Sequence, residues 1–147
     1  MSLAIETKEL RYTIGKSFTV SGLDMHVPRK AVYGFLGPNG SGKTTTIRLL
    51  LGLLRAHGGR ITVLGEEMPQ SYTSVLVRTG YVPERPHVYQ SLTVGEVIAF
   101  HKAFYPTWDQ KWADSLLKQF LLDPDRNVTA LSKGESGKVL MLLALAQ

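Results

Sequence analysis

Apolar and polar positions along the chain change period several times, and each change marks an element. Residues 3–12 and 18–27 are rich in β-forming side chains and are parted by Gly15-Lys16-Ser17, which predicts two strands in antiparallel pairing. Ala31–Leu36 (Ala-Val-Tyr-Gly-Phe-Leu) is almost wholly apolar, the pattern of a short strand buried on both faces. From Thr44 to Leu54 the apolar residues Ile47, Leu50, Leu51 and Leu54 recur at helical spacing. Gly58-Gly59 ends that unit, and Arg60–Leu64, closed by Gly65, predicts a further strand.

The second half is helical in pattern. A short helix is predicted over Ser74–Arg78 and a strand over Thr79–Pro83. Thr93-Val-Gly-Glu96 is a capping box, so a helix should start there and run to about Tyr105, where Pro106 stops it. Asp109 can cap a helix over 110–121, and Ser132-Lys-Gly-Glu135 is a second capping box opening a helix that runs to the end. Strands early and helices late predict a mixed α/β core with a helical lobe near 85–135. Phe104-Tyr-Pro-Thr-Trp108 fits core packing of that lobe.

The strongest chemical signal is Gly37-Pro38-Asn39-Gly40-Ser41-Gly42-Lys43-Thr44, which matches G-x-x-x-x-G-K-[ST] between an apolar strand pattern and a helix pattern. Glycines let successive backbone N–H groups turn inward around phosphate oxygens, where a Cβ would block the approach. The helix opening near Lys43 adds the positive end of its dipole. Lys43 is then the point charge for the β- and γ-phosphates, the Thr44 hydroxyl the candidate Mg²⁺ ligand, and Thr45 a further phosphate contact. The bland alternative is a glycine-rich turn with solvated Lys and Thr; the flanking strand and helix patterns argue against it.

Composition narrows the remaining possibilities. The 147 residues suffice for one compact domain of ordinary size. They are 44% apolar and 20% charged, with no low-complexity tract. There is no cysteine, so disulfides and thiolate metal sites are excluded, and His26, His57, His87 and His101 lack metal-ligand spacing. The longest apolar run, Val139–Ala146, has eight residues, against roughly 20 for a membrane-spanning helix. The first residues lack a signal peptide's basic start and long apolar stretch. Net charge is +5, but the basic residues are scattered, so nucleic acid is not expected as the main partner.

A family resemblance becomes specific at Leu131-Ser132-Lys133-Gly134-Glu135. The segment resembles the signature of ATP-binding cassette (ABC) ATPases, usually Leu-Ser-Gly-Gly-Gln, with Lys at the third position and Glu at the fifth. It lies 94 residues after Gly37. Between them, Ile61-Thr-Val-Leu-Gly65, Gly80-Tyr-Val-Pro-Glu84 and Leu92-Thr-Val-Gly-Glu96 resemble the strand after the first helix, the approach to the Gln loop and the start of the helical lobe. Gly37–Thr45 is close to the family's phosphate loop letter for letter.

The resemblance implies a fold class: α/β, a P-loop NTPase (RecA-like) core with an N-terminal antiparallel β subdomain and a helical subdomain, the C-terminal part of the core missing. The divisions expected are about 1–30 for the antiparallel β part, 31–84 for the phosphate-loop core, 85–135 for the helical subdomain and 132–147 for the signature helix. It also implies the ATP-binding subunit of a transporter, with ATP and Mg²⁺ as ligands. The partners implied are a second ABC ATPase subunit, in a homo- or heterodimer, and a transmembrane permease, at the cytoplasmic face of a membrane. Ser132 with Lys133, Gly134 and Glu135 would face the γ-phosphate of ATP held by that second subunit. Capping alone is the simpler role for Ser132 and Glu135.

Tyr12, 25 residues before Gly37, is the expected adenine-stacking aromatic; Phe18 competes, and packing within a β-layer is the plain alternative. Glu84 stands where the family has Gln, and is a candidate Mg²⁺ ligand beside Thr44. Pro86-His87-Val88-Tyr89 is a candidate contact with the membrane partner. The family's apolar strand ending in Asp-Glu and its later His do not occur within 147 residues, so no catalytic residue is identifiable, and Asp123 and Asp125 follow no buried strand. Two expectations follow. These residues bind ATP with little hydrolysis, and Ala31–Leu36 and the helix Lys133–Ala146 lose cover that the absent strand would give. The rival readings are a soluble cassette ATPase acting on nucleic acid or ribosomes, and a fragment that regulates by binding alone.

Overall fold

A computed structural model describes residues 2–15, 17–84, 89 and 91–147, with the side chains of 17–19 outside the description. Phe18 and most of Pro86-His87-Val88-Tyr89 therefore lie outside what is described. The chain forms two compact units, Met1–Leu76 and Val77–Gln147.

In the first unit, β1 (Leu3–Ile14) pairs antiparallel with β2 (Ser17–Pro28), as the pattern predicted, through partners such as Thr7↔Met25 and Leu10↔Leu23. On its other edge β1 pairs antiparallel with β3 (Gly58–Val63), and β3 with the short β4 (Glu66–Met68), giving the order β2-β1-β3-β4. β3 begins two residues before the predicted Arg60 and takes in both glycines. Gly59, at φ +85°, lies so close to β1 that a Cβ there would sit 2.4 Å from the Glu9 carbonyl oxygen. This is where the register of β1 and β3 slips between Lys8 and Arg11.

The helix α1 (Lys43–Leu50) lies against this sheet. It ends four residues short of the predicted Leu54. Gly52, at φ +70°, turns the chain, its N–H bonding to Leu49 O while Leu53 N–H bonds to Arg48 O. α2 (Tyr72–Leu76) follows β4. The core of the unit is Leu10, Val20, Leu49, Ile61, Val63, Met68 and Val75. Each such side chain contributes roughly 1.5–3 kcal/mol by leaving water. Buried Thr7 satisfies its hydroxyl by donating to Leu23 O at 2.7 Å.

The predicted strand Ala31–Leu36 is not formed, and it is not buried. These residues have no ladder partner among the described residues; Val32 is fully exposed and Leu36 is 92% exposed. A strand needs a neighbour for its backbone groups, and the sheet β2-β1-β3-β4 does not include these residues. Thr79–Pro83 likewise forms no strand. Gly80 instead packs so tightly on the last helix that a Cβ would lie 2.4 Å from Ala144 O.

The second unit holds α3 (Val94–Lys102), α4 (Gln110–Gln119), a 3₁₀ turn at Val128–Ala130 and α5 (Lys133–Ala146). Val94, Val97, Ala113, Leu116, Val139, Leu142 and Leu143 form its core. α5 was expected to lose cover. It retains one buried face, with Val139, Leu142, Leu143 and Ala146, while Met141 and Leu145 are about half exposed. In the Phe104–Trp108 segment Trp108 packs on the core, but Phe104 is exposed and meets Phe100 edge-on. No described helix is long and apolar enough to cross a membrane.

Candidate nucleotide site

The phosphate-loop residues form an irregular segment leading into α1. Gly40 and Gly42 have φ of +82° and +89°, a region a side chain disfavours, and a Cβ on Gly40 would meet open space. Gly42 is the N-cap of α1, and no side chain caps that end. The first helical bond is Thr46 N–H to Gly42 O at 2.8 Å. The amides of Lys43, Thr44 and Thr45 have no partner among the described residues and point along the helix start, where the dipole favours an anion. Lys43 folds back over the loop, its ammonium donating to Gly37 O and Pro38 O, each at 2.7 Å. Ser41 N–H bonds to Pro38 O at 3.2 Å, closing the turn that contains Asn39 and Gly40. Gly37 sits against Ser41, whose Oγ would lie 2.6 Å from a Cβ there.

Glycines without side chains, three open amides and one ammonium fit a polyphosphate anion. The Thr44 side chain is exposed at the first turn, Thr45 is half buried, and Thr46 is buried. Thr44 is thus free to offer its hydroxyl as a ligand for a hard cation. A groove of about 550 Å³ runs beside the loop, lined by Leu23, Asp24, Phe35, Leu36, Pro38 and Thr46 among others.

Tyr12 lies near the end of β1, half buried against the core of the first unit. Its ring stacks on His57, centroids 4.8 Å apart and planes 27° apart. His57 was not singled out beyond its lack of metal-ligand spacing, and no local signal joins it to a residue so distant in the chain.

In the second unit, Ser132 caps α5. Its Oγ accepts from Glu135 N–H at 3.2 Å, and Ser132 N–H donates to Glu135 Oε2 at 2.8 Å. Arg126 completes the arrangement, donating to Glu135 Oε1 at 2.6 Å and to Ala130 O at 2.6 Å. The Ser132 N–H and then its hydroxyl, helped by Arg126, hold the Glu135 carboxyl below its ordinary range. Lys133 and Gly134 are exposed, and their amides have no partner among the described residues. Arg126 is the contributor that sequence reasoning missed; a distant cation leaves no trace in a capping-box pattern. Glu84 is exposed in a bend, and no group of three or more potential His, Cys, Asp or Glu ligands occurs among the described residues.

Comparison with known proteins bears on the family and the fold. The family model described as ABC transporter matches residues 20–147. The bacitracin transport ATP-binding protein BcrA of Bacillus licheniformis is 39% identical over 109 residues, covering 69% of this chain and 36% of that protein. The Nod factor export ATP-binding protein I of Cupriavidus pinatubonensis is 42% identical over 84 residues, covering 57% of this chain and 26% of that protein. The chain spans about a third of the length of these curated relatives. A solved ATP-binding subunit of an ABC transporter superposes with a TM-score of 0.87 at 25% identity, over 99% of this chain and 62% of that one. The ATP-binding cassette MJ0796, solved with ADP and Pi, shares the fold at a TM-score of 0.80 and 19% identity, over 97% of this chain and 69% of that one. With the phosphate loop, the signature-like cap and the fold all in agreement, the chain belongs to the ABC transporter family of ATP-binding proteins.

Proposed function

We propose that this chain binds MgATP through Gly37–Thr45 as the nucleotide-binding part of an ABC transporter. The single observation carrying this is the start of α1, where two left-handed glycines and an absent side-chain cap leave three amides open beside Lys43. Backbone N–H groups bind the β- and γ-phosphates, Lys43 exchanges its loop carbonyls for phosphate oxygens, and Thr44 ligates Mg²⁺. Tyr12 stacks on the adenine. Glu84 is an additional oxygen ligand for Mg²⁺.

The working unit is a pair of cassettes on a transmembrane permease at the cytoplasmic face. Ser132 and the Gly134 N–H, at the start of α5, complete the nucleotide site of the second cassette. One observation supports that role: the Gly134 amide, at the exposed start of α5, has no partner among the described residues. The names of relatives, bacitracin transport and Nod factor export, favour transport over action on nucleic acid.

Titration calorimetry with MgATP tests the central claim. Saturable binding that Lys43→Ala abolishes supports it; no heat of binding from folded protein refutes it. Residues 1–147 on their own are expected to turn ATP over slowly. Orienting a water for phosphoryl transfer needs a positioned carboxylate or amide, and Glu84 alone is exposed and unsupported. Steady-state turnover on a par with an intact cassette would overturn that part.

A further inference from the structure

His57 touches three consecutive residues of β1. Its backbone N–H donates to Arg11 O at 2.9 Å, its Nδ1 accepts from Thr13 N–H at 3.3 Å, and its ring stacks on Tyr12 between them. With Nδ1 accepting, Nε2 is the ring nitrogen left to donate. The loop carrying His57 is held at both ends. The glycine-terminated turn after α1 fixes its start, and the Arg11↔Gly58 pairing fixes its end. One hydrogen bond fixes the His57 backbone and a second fixes its ring, so the orientation of the imidazole beside Tyr12 is set. Tyr12 has only two side-chain torsions, and a stacked neighbour removes most of their freedom.

We infer that His57 is a positioning residue for nucleobase recognition, forming with Tyr12 a pre-assembled two-ring stack to which the purine of the bound nucleotide adds. The inference rests on the reading of Tyr12 as the base-stacking residue, and assigns His57 a share in affinity for the base and none in affinity for the phosphates. Pre-ordering the Tyr12 ring lowers the entropy lost when a base docks. Stacking of this kind tolerates any planar base, so the pair should favour ATP over a bare polyphosphate more than it separates one purine from another.

Calorimetry with MgATP and with magnesium tripolyphosphate tests this on five proteins: the parent, His57→Asn, His57→Phe, Tyr12→Ala, and His57→Asn combined with Tyr12→Ala. His57→Asn keeps an acceptor for Thr13 N–H but removes the ring. It is expected to weaken MgATP about three- to tenfold and to leave tripolyphosphate affinity within about twofold. His57→Phe restores MgATP affinity, which excludes loosening of the whole loop as the cause. On the Tyr12→Ala background, His57→Asn adds no further loss. The inference is overturned if His57→Asn leaves MgATP affinity unchanged, tightens it, or weakens both ligands equally. A folded parent protein that binds neither MgATP nor magnesium tripolyphosphate would sink the phosphate-loop reading, and this inference with it.

Discussion

The starts of α1 and α5 use opposite solutions to the same problem. Every helix begins with amides that its own ladder cannot satisfy. At α5, Ser132 and Glu135 satisfy one another's backbone, and Arg126 anchors the carboxylate. At α3 the closure goes further, for Thr93 and Glu96 form a second box while Val94 N–H and Gly95 N–H reach Arg126 O and Pro124 O. At α1 the N-cap is Gly42, which has no side chain to offer, and the next three amides stay open. A cap worth about 1 kcal/mol is forgone there. The difference separates a helix start that satisfies its own amides from one that leaves them open, as the proposed phosphate site requires. α5 is intermediate: its cap is closed, yet the Lys133 and Gly134 amides still face outward.

Substitutions at the two helix starts should therefore have different signatures. The largest effect is expected for Lys43→Ala, which removes a charged partner for the phosphates. MgATP affinity should fall about 10- to 100-fold in calorimetry, following the roughly 1.5–3 kcal/mol of a charged hydrogen bond, with little change in melting temperature. Among the described residues the Lys43 ammonium bonds to two loop carbonyls, Gly37 O and Pro38 O.

Gly42→Ala comes next. A Cβ at φ +89° costs about 1–2 kcal/mol and turns the loop amides away from a common centre. Both thermal stability and MgATP affinity should drop, and unchanged affinity would argue that these amides are not the phosphate ligands. Ser132→Ala should cost about 1 kcal/mol of stability by loss of the cap, measured by denaturant unfolding, and should leave MgATP affinity at the phosphate loop unchanged.

The smallest effect concerns acid. The Glu135 carboxyl is held below its ordinary value, so its contribution is present above the ordinary value of 4.5 and is lost as pH falls through the lowered one. Melting temperature should therefore decline more steeply below about pH 4.5 in the parent than in Glu135→Gln. Parallel curves would show that the Arg126–Glu135 pair is only a surface contact.

Much of the candidate site was legible because its logic is local. The glycines and Lys43 lie within seven residues, and a capping box spans only four, so Thr93, Ser132 and Asp109 all occupy the caps their patterns predicted. Elements that need a distant partner were not legible. Ala31–Leu36 has a strand's composition, but composition supplies no neighbour, and the segment lies exposed without a ladder. β3 runs back through Gly58-Gly59, which looked like a stop, because the slipped register of β1 admits two residues without side chains at that point. His57 against Tyr12, and Arg126 against Glu135, join residues whose meeting depends on how loops close.

The sequence by itself determined that the chain carries a phosphate loop, where the later helices begin, and which family pattern they follow. Each of these is set by side chains a few residues apart acting on their own backbone. Only the tertiary structure decided which apolar segments become strands, which ring supports Tyr12 and which cation steadies Glu135. Sheet pairing and cross-chain contacts are satisfied between segments, and no single segment contains the information about its neighbour.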